Sequence, residues 1–397
     1  MQESRKDIKV LHLITAFSLG GATENTLLSV EGLQDLGYDV QIVTGPNISS
    51  EGDLFERARQ NHVRVVVIKE LQRSIHPFYD VVAFFKILGV LRKGSFHIIH
   101  THSSKAGILG RVAAKLSGVP LIIHTIHGLP FHDYQSTLMK RIFILAEKIG
   151  TALSDKVIAV TKTIIEKALA AGVGRREKFV VVRSGFDTEP FMKRNYDVHR
   201  IRAEFGLKPT DFVIGKIARF SKLKGHEYIV DAVPKVIEKV PNAKFLFVGS
   251  GELDHEIRER VKQCGVAEHV VFTGLIAQER IPDLIAAMDV VVHTSLLEGL
   301  ARVLPQALAL KKPAISFDID GAHEVLFEGK TGYLIEPCNT NQLAEAIINI
   351  LSDKSKAEQM GRAGYELVKN EWTKEAMVKG IDEVYRELLR TKLLLAL

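Results

Sequence analysis

The sequence predicts an α/β protein built as two doubly wound parallel-sheet domains in series. Short β-rich apolar runs alternate with helical patterns along almost the whole chain, the order that yields a parallel sheet covered on both faces. The runs fall into two series separated by a polar, charged stretch. At 397 residues the chain also exceeds the size at which one hydrophobic core usually stops growing.

The first series reads as strands at Ile8 to Ile14, Val40 to Val43, Val63 to Ile68, Ile98 to Ile99, Leu121 to His124, Val157 to Val160 and Phe179 to Val182. Helical stretches such as Glu24 to Leu36 and Leu138 to Leu153 lie between most of them. After Arg183-Ser184-Gly185-Phe186-Asp187 the pattern loosens, and Glu189 to Arg202 is expected to be the interdomain linker. The second series runs through Phe212 to Ile217, Ala243 to Val248, His269 to Phe272, Val290 to His293, Ala314 to Phe317 and Gly332 to Leu334. The tail from Glu375 to Leu397 reads as a helix carrying Leu388, Leu389, Leu393, Leu394 and Leu395. The expected domains are residues 1–187, 188–374 and a terminal helix over 375–397.

Hydrophobic content of 46% and charged content of 25% are ordinary for a globular protein able to bury large cores. Cys264 and Cys338 are far apart and match no metal or redox spacing, which suits a reducing cytoplasm. The start, MQESRKDIKVLHLIT, lacks the long apolar core and small-residue cleavage site of a signal peptide, and no apolar run approaches the ~20 residues of a membrane span. A net charge of +6 spread over so long a chain permits attraction to anionic substrates or lipid, and no nucleic-acid motif is present.

The chemistry-bearing residues lie where strands end, and ligands of open parallel sheets bind at the carboxyl ends of strands. Val290 to Val292 reads as a buried strand that passes through His293-Thr294-Ser295 to Glu298-Gly299. Leu300 and Ala301 lead into a helix expected over Arg302 to Leu310, whose unpaired N–H groups and dipole favour an anion such as a diphosphate. The loop Asp320-Gly321-Ala322-His323-Glu324 is expected to open a second helix.

Arg219-Phe220-Ser221-Lys222-Leu223-Lys224-Gly225-His226 sets cations between a strand and a helix, as a diphosphate site or a solvated basic turn. Gly20 and Gly21 follow the first strand and open a helix, either as a tight turn or as a close approach for phosphate. Gly249, Gly251 and Gly274 end strands of the second series, where a planar base or a sugar can lie against backbone.

His97, His100, His102, His124, His127 and His132 crowd one region. Their spacing allows a zinc site or, as histidines at strand ends commonly do, bonds to backbone; no metal site is expected. Asp318-Ile319-Asp320 is a D-x-D expected to be a decoy, because the phosphate partners are already cationic. The helix Tyr79 to Leu91, with Val81, Val82, Phe84, Phe85 and Ile87 before Arg92 and Lys93, either packs on its sheet or lies on a membrane.

Taken together, the stretch from Ser295 to Glu324 and the two series of strands resemble the retaining GT-B glycosyltransferases of family 4, the glycosyl transferases group 1, over almost the whole chain. The resemblance implies two Rossmann-like domains facing a cleft, the first binding acceptor, the second binding donor, and the last helix crossing back to the first domain. That family's signature is Glu, Gly and a second Glu eight positions after the first; here the first is Glu298 and the eighth position holds Gln306.

The resemblance implies that Glu298 bonds hydroxyls of the transferred sugar and that position 306 holds the ribose. It also implies that Arg219 and Lys224 bind the phosphates, and that backbone near Leu275 and Ile276 reaches the base. The Gly20-Gly21 loop would face the diphosphate and the acceptor, with His127 near the sugar and His100 and His102 lining the acceptor side. An amide at 306 both accepts and donates, unlike a carboxylate, so the departure bears on donor affinity more than on the reaction.

The expected activity is metal-independent, retaining transfer of a sugar from a UDP- or GDP-linked donor, with no further cofactor. The acceptor is expected to be a glycan or lipid-linked saccharide in cell-surface polysaccharide synthesis. A helical rise of ~1.5 Å per residue would separate positions 298 and 306 by up to ~12 Å, too far to flank one anomeric carbon, so a front-face mechanism is expected. The expected location is cytoplasmic, with peripheral contact at the inner membrane face permitted. Two alternatives are a GT-B sugar-nucleotide epimerase, which makes an isomer without acceptor, and a non-catalytic sugar-nucleotide-binding protein. Release of free nucleoside diphosphate separates a transferase from a binding module.

Overall fold

A computed structural model describes residues 5–47 and 52–395, with side chains described through residue 392. The chain forms two compact units: Met1–Phe186 together with Lys374–Leu397, and Asp187–Thr373.

The first unit alternates β1 (Lys9–Ile14), α1 (Gly21–Asp35), β2 (Asp39–Thr44), α2 (Phe55–Gln60), β3 (Arg64–Val67), α3 (Pro77–Gly94), β4 (Ile98–His102), α4 (Ser104–Ser117), β5 (Leu121–Ile126), α5 (Thr137–Leu153), β6 (Lys156–Ala159), α6 (Lys162–Ala170) and β7 (Phe179–Val181). Its seven strands are parallel in the order β3-β2-β1-β4-β5-β6-β7, so the direction of winding reverses between β1 and β4. Side chains alternate across each strand. Val10 and Ile14 therefore join one apolar cluster while Leu11 and Leu13 join the other, with Ala83, Ile87 and Leu91 of α3.

The second unit contains α7 (Glu189–Met192), α8 (Val198–Glu204), β8 (Phe212–Ile217), α9 (His226–Lys239), β9 (Ala243–Val248), α10 (Asp254–Gln263), β10 (Val270–Gly274), α11 (Ile281–Ala287), β11 (Val290–His293), α12 (Val303–Ala309), β12 (Ala314–Phe317), β13 (Gly332–Ile335), α13 (Thr340–Ser352) and α14 (Lys354–Glu371). Six parallel strands lie in the order β10-β9-β8-β11-β12-β13, and the winding reverses between β8 and β11.

The chain then returns to the first unit as α15 (Lys374–Leu395). Met377, Ile381, Val384 and Tyr385 of α15 enter the apolar cluster of Val10 and Ile14, and Leu388 and Leu389 pack at its margin. Asp382 fastens the helix by accepting from Tyr38 Oη at 2.7 Å and Arg5 at 2.9 Å. The side chains of Leu393, Leu394 and Leu395 lie outside the described residues.

Two sequence expectations are corrected. Glu189 to Arg202 is not a linker, because α7 and most of α8 occupy it and it belongs to the second unit. Its polar composition conceals a buried arginine. Arg202 donates to Asp289 at 2.9 Å and to the carbonyls of Ala287 and Asp211, so its charge is paired inside the fold. Asp320 to Glu324 opens no second α-helix and contains only a single 3-10 turn, Ala322–Glu324. Asp320 has a positive φ of 45°, and its carboxylate accepts from the backbone N–H of Glu298.

Candidate active site

In the second unit the two strands that flank the winding reversal carry the candidate residues on the loops at their ends. After β8 the chain is strapped to the end of β9: the N–H of Ala218 donates to Val248 O at 3.1 Å and that of Phe220 to Ser250 O at 3.0 Å. The packing is so close that a Cβ at Gly249 would lie 2.3 Å from Ala218 O, and one at Gly251 2.4 Å from Phe220 O. Both glycines thus have a structural reason within the chain itself. Gly274 differs, because at φ +69° its Cβ direction is open. Beyond it, Leu275 is exposed and Ile276 half-buried.

The basic loop is held against the end of β11. At Gly225 a Cβ would lie 1.9 Å from the carbonyl oxygen of Thr294, and the Thr294 hydroxyl donates to Gly225 O at 2.6 Å. That hydroxyl also accepts from Lys216 Nζ at 2.9 Å. Burial pushes the Lys216 ammonium down to about 7, and the charge of Lys224 pushes it the same way.

Lys224 Nζ lies 2.5 Å from Glu298 Oε1, and His293 Nε2 lies 3.5 Å from that same oxygen. His293 is buried and its ring nitrogens have no hydrogen-bond partner among the described residues. Burial holds its pKa well below the usual range, so it faces Glu298 as a neutral ring.

Asp320 completes the arrangement by accepting from Glu298 N at 2.7 Å. This second acid of the D-x-D braces the Glu298 loop, while Asp318 Oδ1 is 3.7 Å from His323 Nδ1. Three strand ends, those of β8, β11 and β12, therefore gather Lys216, Lys224, His293, Glu298 and Asp320. Arg219 is exposed on the same basic loop. Gly299, Leu300 and Ala301 are buried on the approach to α12, and Gln306 is half-buried within that helix. A partly buried cation beside a fixed carboxylate can hold an anionic group and orient hydroxyls next to it.

In the first unit, Gly20 and Gly21 are exposed at the start of α1, with nothing within 4 Å of the Cβ direction at Gly20. His127 follows β5, half-exposed, and lines a cavity of about 50 Å³ with Ala22, Ser103, Thr125 and Gly128. His100 and His102 do not line an acceptor surface. Both are fully buried, because β4 turns them toward the face that α15 covers. His97 accepts from the N–H of Lys9 at 3.0 Å, a structural role, and His124 Nδ1 meets Thr101 Oγ1 at 2.9 Å.

Lys216 and His12 escape sequence reading, although each carries a signal: a polar group inside an otherwise apolar parallel strand, Phe-Val-Ile-Gly-Lys-Ile and Lys-Val-Leu-His-Leu-Ile.

Residues 197–367 match the family described as "Glycosyl transferases group 1", and residues 20–185 match the "Glycosyl transferase 4-like domain". The chain is 27% identical to UDP-Gal:alpha-D-GlcNAc-diphosphoundecaprenol alpha-1,3-galactosyltransferase of Escherichia coli over 89% of its own length and 90% of that protein. It is 24% identical to the capsular polysaccharide biosynthesis glycosyltransferase CapM of Staphylococcus aureus over 97% of its length and 98% of that protein. HepE of Anabaena, solved in complex with UDP-glucose, has a similar fold, with a TM-score of 0.83 and 23% identity over 96% of this chain and 100% of that one. Two domain matches covering most of the chain, on two parallel-sheet units of which the second sets Lys224 beside Glu298 at its strand ends, make this protein a group 1 glycosyltransferase of the GT-B fold.

Proposed function

We propose that the protein transfers a hexose, with retention and without a metal, from a nucleoside diphosphate sugar to a hydroxyl of a saccharide or lipid-linked saccharide. The observation that carries this reading is the Lys224–Glu298 pair at the winding reversal, because it sets a phosphate-binding cation beside a carboxylate able to bond sugar hydroxyls. Uridine is the favoured base, since the E. coli relative is named for UDP-Gal and HepE was solved with UDP-glucose; a GDP-linked donor is the competing choice. The names of the E. coli and S. aureus relatives support an acceptor in cell-surface polysaccharide synthesis.

In this reading Arg219 and Lys224 hold the diphosphate, Gln306 the ribose, and backbone around Gly274, Leu275 and Ile276 the base. Glu298 and His127 orient the sugar, and Gly20 and Gly21 border the acceptor. The acceptor oxygen bonds to the anomeric carbon on the face from which the diphosphate oxygen departs, and the acceptor proton passes to that leaving oxygen. The cations neutralise the charge that a metal would otherwise hold.

The test is release of nucleoside diphosphate from a panel of UDP- and GDP-hexoses in excess EDTA, with and without acceptor. Release stimulated by acceptor is expected. No release, or release that requires Mn²⁺ or Mg²⁺, refutes the reading.

Contact with an anionic membrane surface fits the same unit that would receive the acceptor. Leu138, Ile142, Leu145 and Ile149 are exposed along one stripe of α5, and Phe78, Val81 and Phe85 along α3. Lys140, Arg141 and Lys148 flank the first stripe. None of the described helices is long and apolar enough to cross a membrane. Flotation with anionic vesicles, lost in Leu145→Glu, is the expected outcome; equal flotation of both proteins refutes the contact.

A further inference from the structure

Four imidazoles and a phenol form an unbroken chain inside the first unit. His127 Nε2 lies 3.0 Å from His102 Nδ1, and His102 Nε2 lies 3.0 Å from His12 Nδ1. His12 Nε2 is 3.3 Å from Tyr385 Oη, which is 2.6 Å from His100 Nδ1. His100 Nε2 then meets Thr125 Oγ1 at 2.6 Å. The geometry follows from strand periodicity, which puts His100 and His102, and likewise Thr125 and residue 127, on one face. Tyr385 of α15 enters that face from above.

Proton counting restricts this chain to two states. Burial pushes His12 down to about 3, holds His100 and His102 well below their usual range, and raises Tyr385 well above its own. His102, His12, Tyr385 and His100 are therefore neutral, and each brings one hydrogen to its two contacts. These four hydrogens leave one of the five contacts to be filled from an end, by His127 or by Thr125. Every donor must then point the same way, because one reversed group would set two lone pairs, or two hydrogens, against each other in a buried place.

The two directions differ at His127. The 2.6 Å from Tyr385 to His100 Nδ1 and the 3.3 Å to His12 suit an O–H donated to His100 and a weaker N–H donated to the phenol oxygen, and followed outward that polarity has His102 accept from His127. The 2.6 Å from Thr125 Oγ1 to His100 Nε2 suits an O–H donated the other way, which has His102 donate to His127. In either direction the chain decides whether His127 Nε2 carries a hydrogen.

We propose that this chain is a tautomer relay, in which Tyr385, His12 and His102 decide which ring nitrogen of His127 carries its hydrogen. The relay gives His127 a fixed polarity where it borders its cavity, and it makes His102, His12 and Tyr385 positioning residues. Its consequence for transfer rests on the reading of His127 as a sugar-orienting residue.

A metal is the competing explanation, since nitrogens of His12, His100 and His102 lie within 4.8 Å of one another. The contacts argue against it. His12 and His102 are stacked at 19° with their nitrogens facing each other, and His12 Nε2 and His100 Nδ1 both face the phenol oxygen. An ion would have to replace bonds that already satisfy each of these nitrogens.

The test uses the full chain labelled with ¹⁵N-histidine, read by long-range ¹H–¹⁵N correlation, with metal analysis of the same sample. His127 is expected as one tautomer, not a mixture, in the parent protein. In Tyr385→Phe, which removes the oxygen and keeps the ring, its shifts should move toward a tautomer mixture, with kcat about tenfold lower and donor KM within twofold. Thr125→Val cuts the other end and should move the same shifts. A tautomer mixture in the parent, unchanged His127 shifts in both variants, or one equivalent of bound zinc overturns the relay. Moved shifts with unchanged kcat keep the relay and remove His127 from the reaction.

Discussion

Lys224 Nζ lies 2.5 Å from Oε1 of Glu298, and so joins the loop after β8 to the loop after β11 across the point where the winding of the sheet reverses. The side chains keep 29% and 20% of their exposure, enough water for screening to limit such a pair to at most about 1 kcal/mol of stability. Its value is therefore positional. Glu298→Ala should leave thermal unfolding within a few degrees of the parent, lower transfer at least about a hundredfold, or roughly 2.7 kcal/mol, and leave UDP affinity equal or tighter because Lys224 is released. Transfer within tenfold of the parent would remove Glu298 from the sugar site.

Lys216 makes stability depend on pH. Its folded pKa is lowered from 10.5 to about 7, chiefly by burial, so the unfolded chain binds more protons between those values and stability rises with pH across that window. The penalty is complete below pH 7 and relieved by about 10.5; at ~1.4 kcal/mol per unit it is on the order of 5 kcal/mol. Lys216→Met removes the charge, and Thr294 still donates to Gly225 O. The variant should exceed the parent in Tm by more at pH 6.5 than at pH 9.5. A pH-independent difference would show that Lys216 does not titrate in this range. A diphosphate at Lys224 should also raise the Lys216 pKa, so UDP binding near pH 7.5 should take up protons, seen as heats that vary with the ionisation enthalpy of the buffer.

Much of this fold is legible in the chain because its strands are buried on both faces. Phe212 to Ile217, Ala243 to Val248, Val290 to His293 and Ala314 to Phe317 are apolar runs cut off by polar turns, and the strands occupy those same residues. Arg202 is not legible, since a buried arginine paired with Asp289 and a solvated arginine look alike until the partner 87 positions away is placed. His100 and His102 fail for a related reason. Alternation tells that they share a face, but the helix that covers this face arrives 285 positions after His100. Nor does Asp318-Ile319-Asp320 reveal in sequence that Asp320 accepts from the N–H of Glu298.

Gly274 and Gly206 form a matched pair of probes. Both have φ near +70°, at 69°, and nothing within 4 Å of the Cβ direction, so alanine at either position carries the same left-handed backbone cost of about 1–2 kcal/mol and no clash. Only Gly274 leads into the Leu275-Ile276 segment proposed to meet the base. Gly274→Ala should weaken UDP binding several-fold more than Gly206→Ala at equal loss of Tm. Equal affinities would place the base elsewhere.

Gln306→Glu asks whether the half-buried amide on α12 holds the ribose. An amide meets a vicinal diol with one accepting and one donating group, whereas a carboxylate accepts from both hydroxyls. The exchange should change donor affinity by about 1 kcal/mol, the scale of one hydrogen bond, with a smaller effect on the chemical step. Since a ribose contact is common to both ligands, UDP and UMP should shift together. Discrimination between ribose and 2′-deoxyribose should fall in whichever protein makes the poorer bond, because the second hydroxyl then contributes less. Binding titrations with the four nucleotides give both ratios, and if the parent and Gln306→Glu discriminate ribose from deoxyribose equally, the ribose is held by another residue and Gln306 only lines the helix.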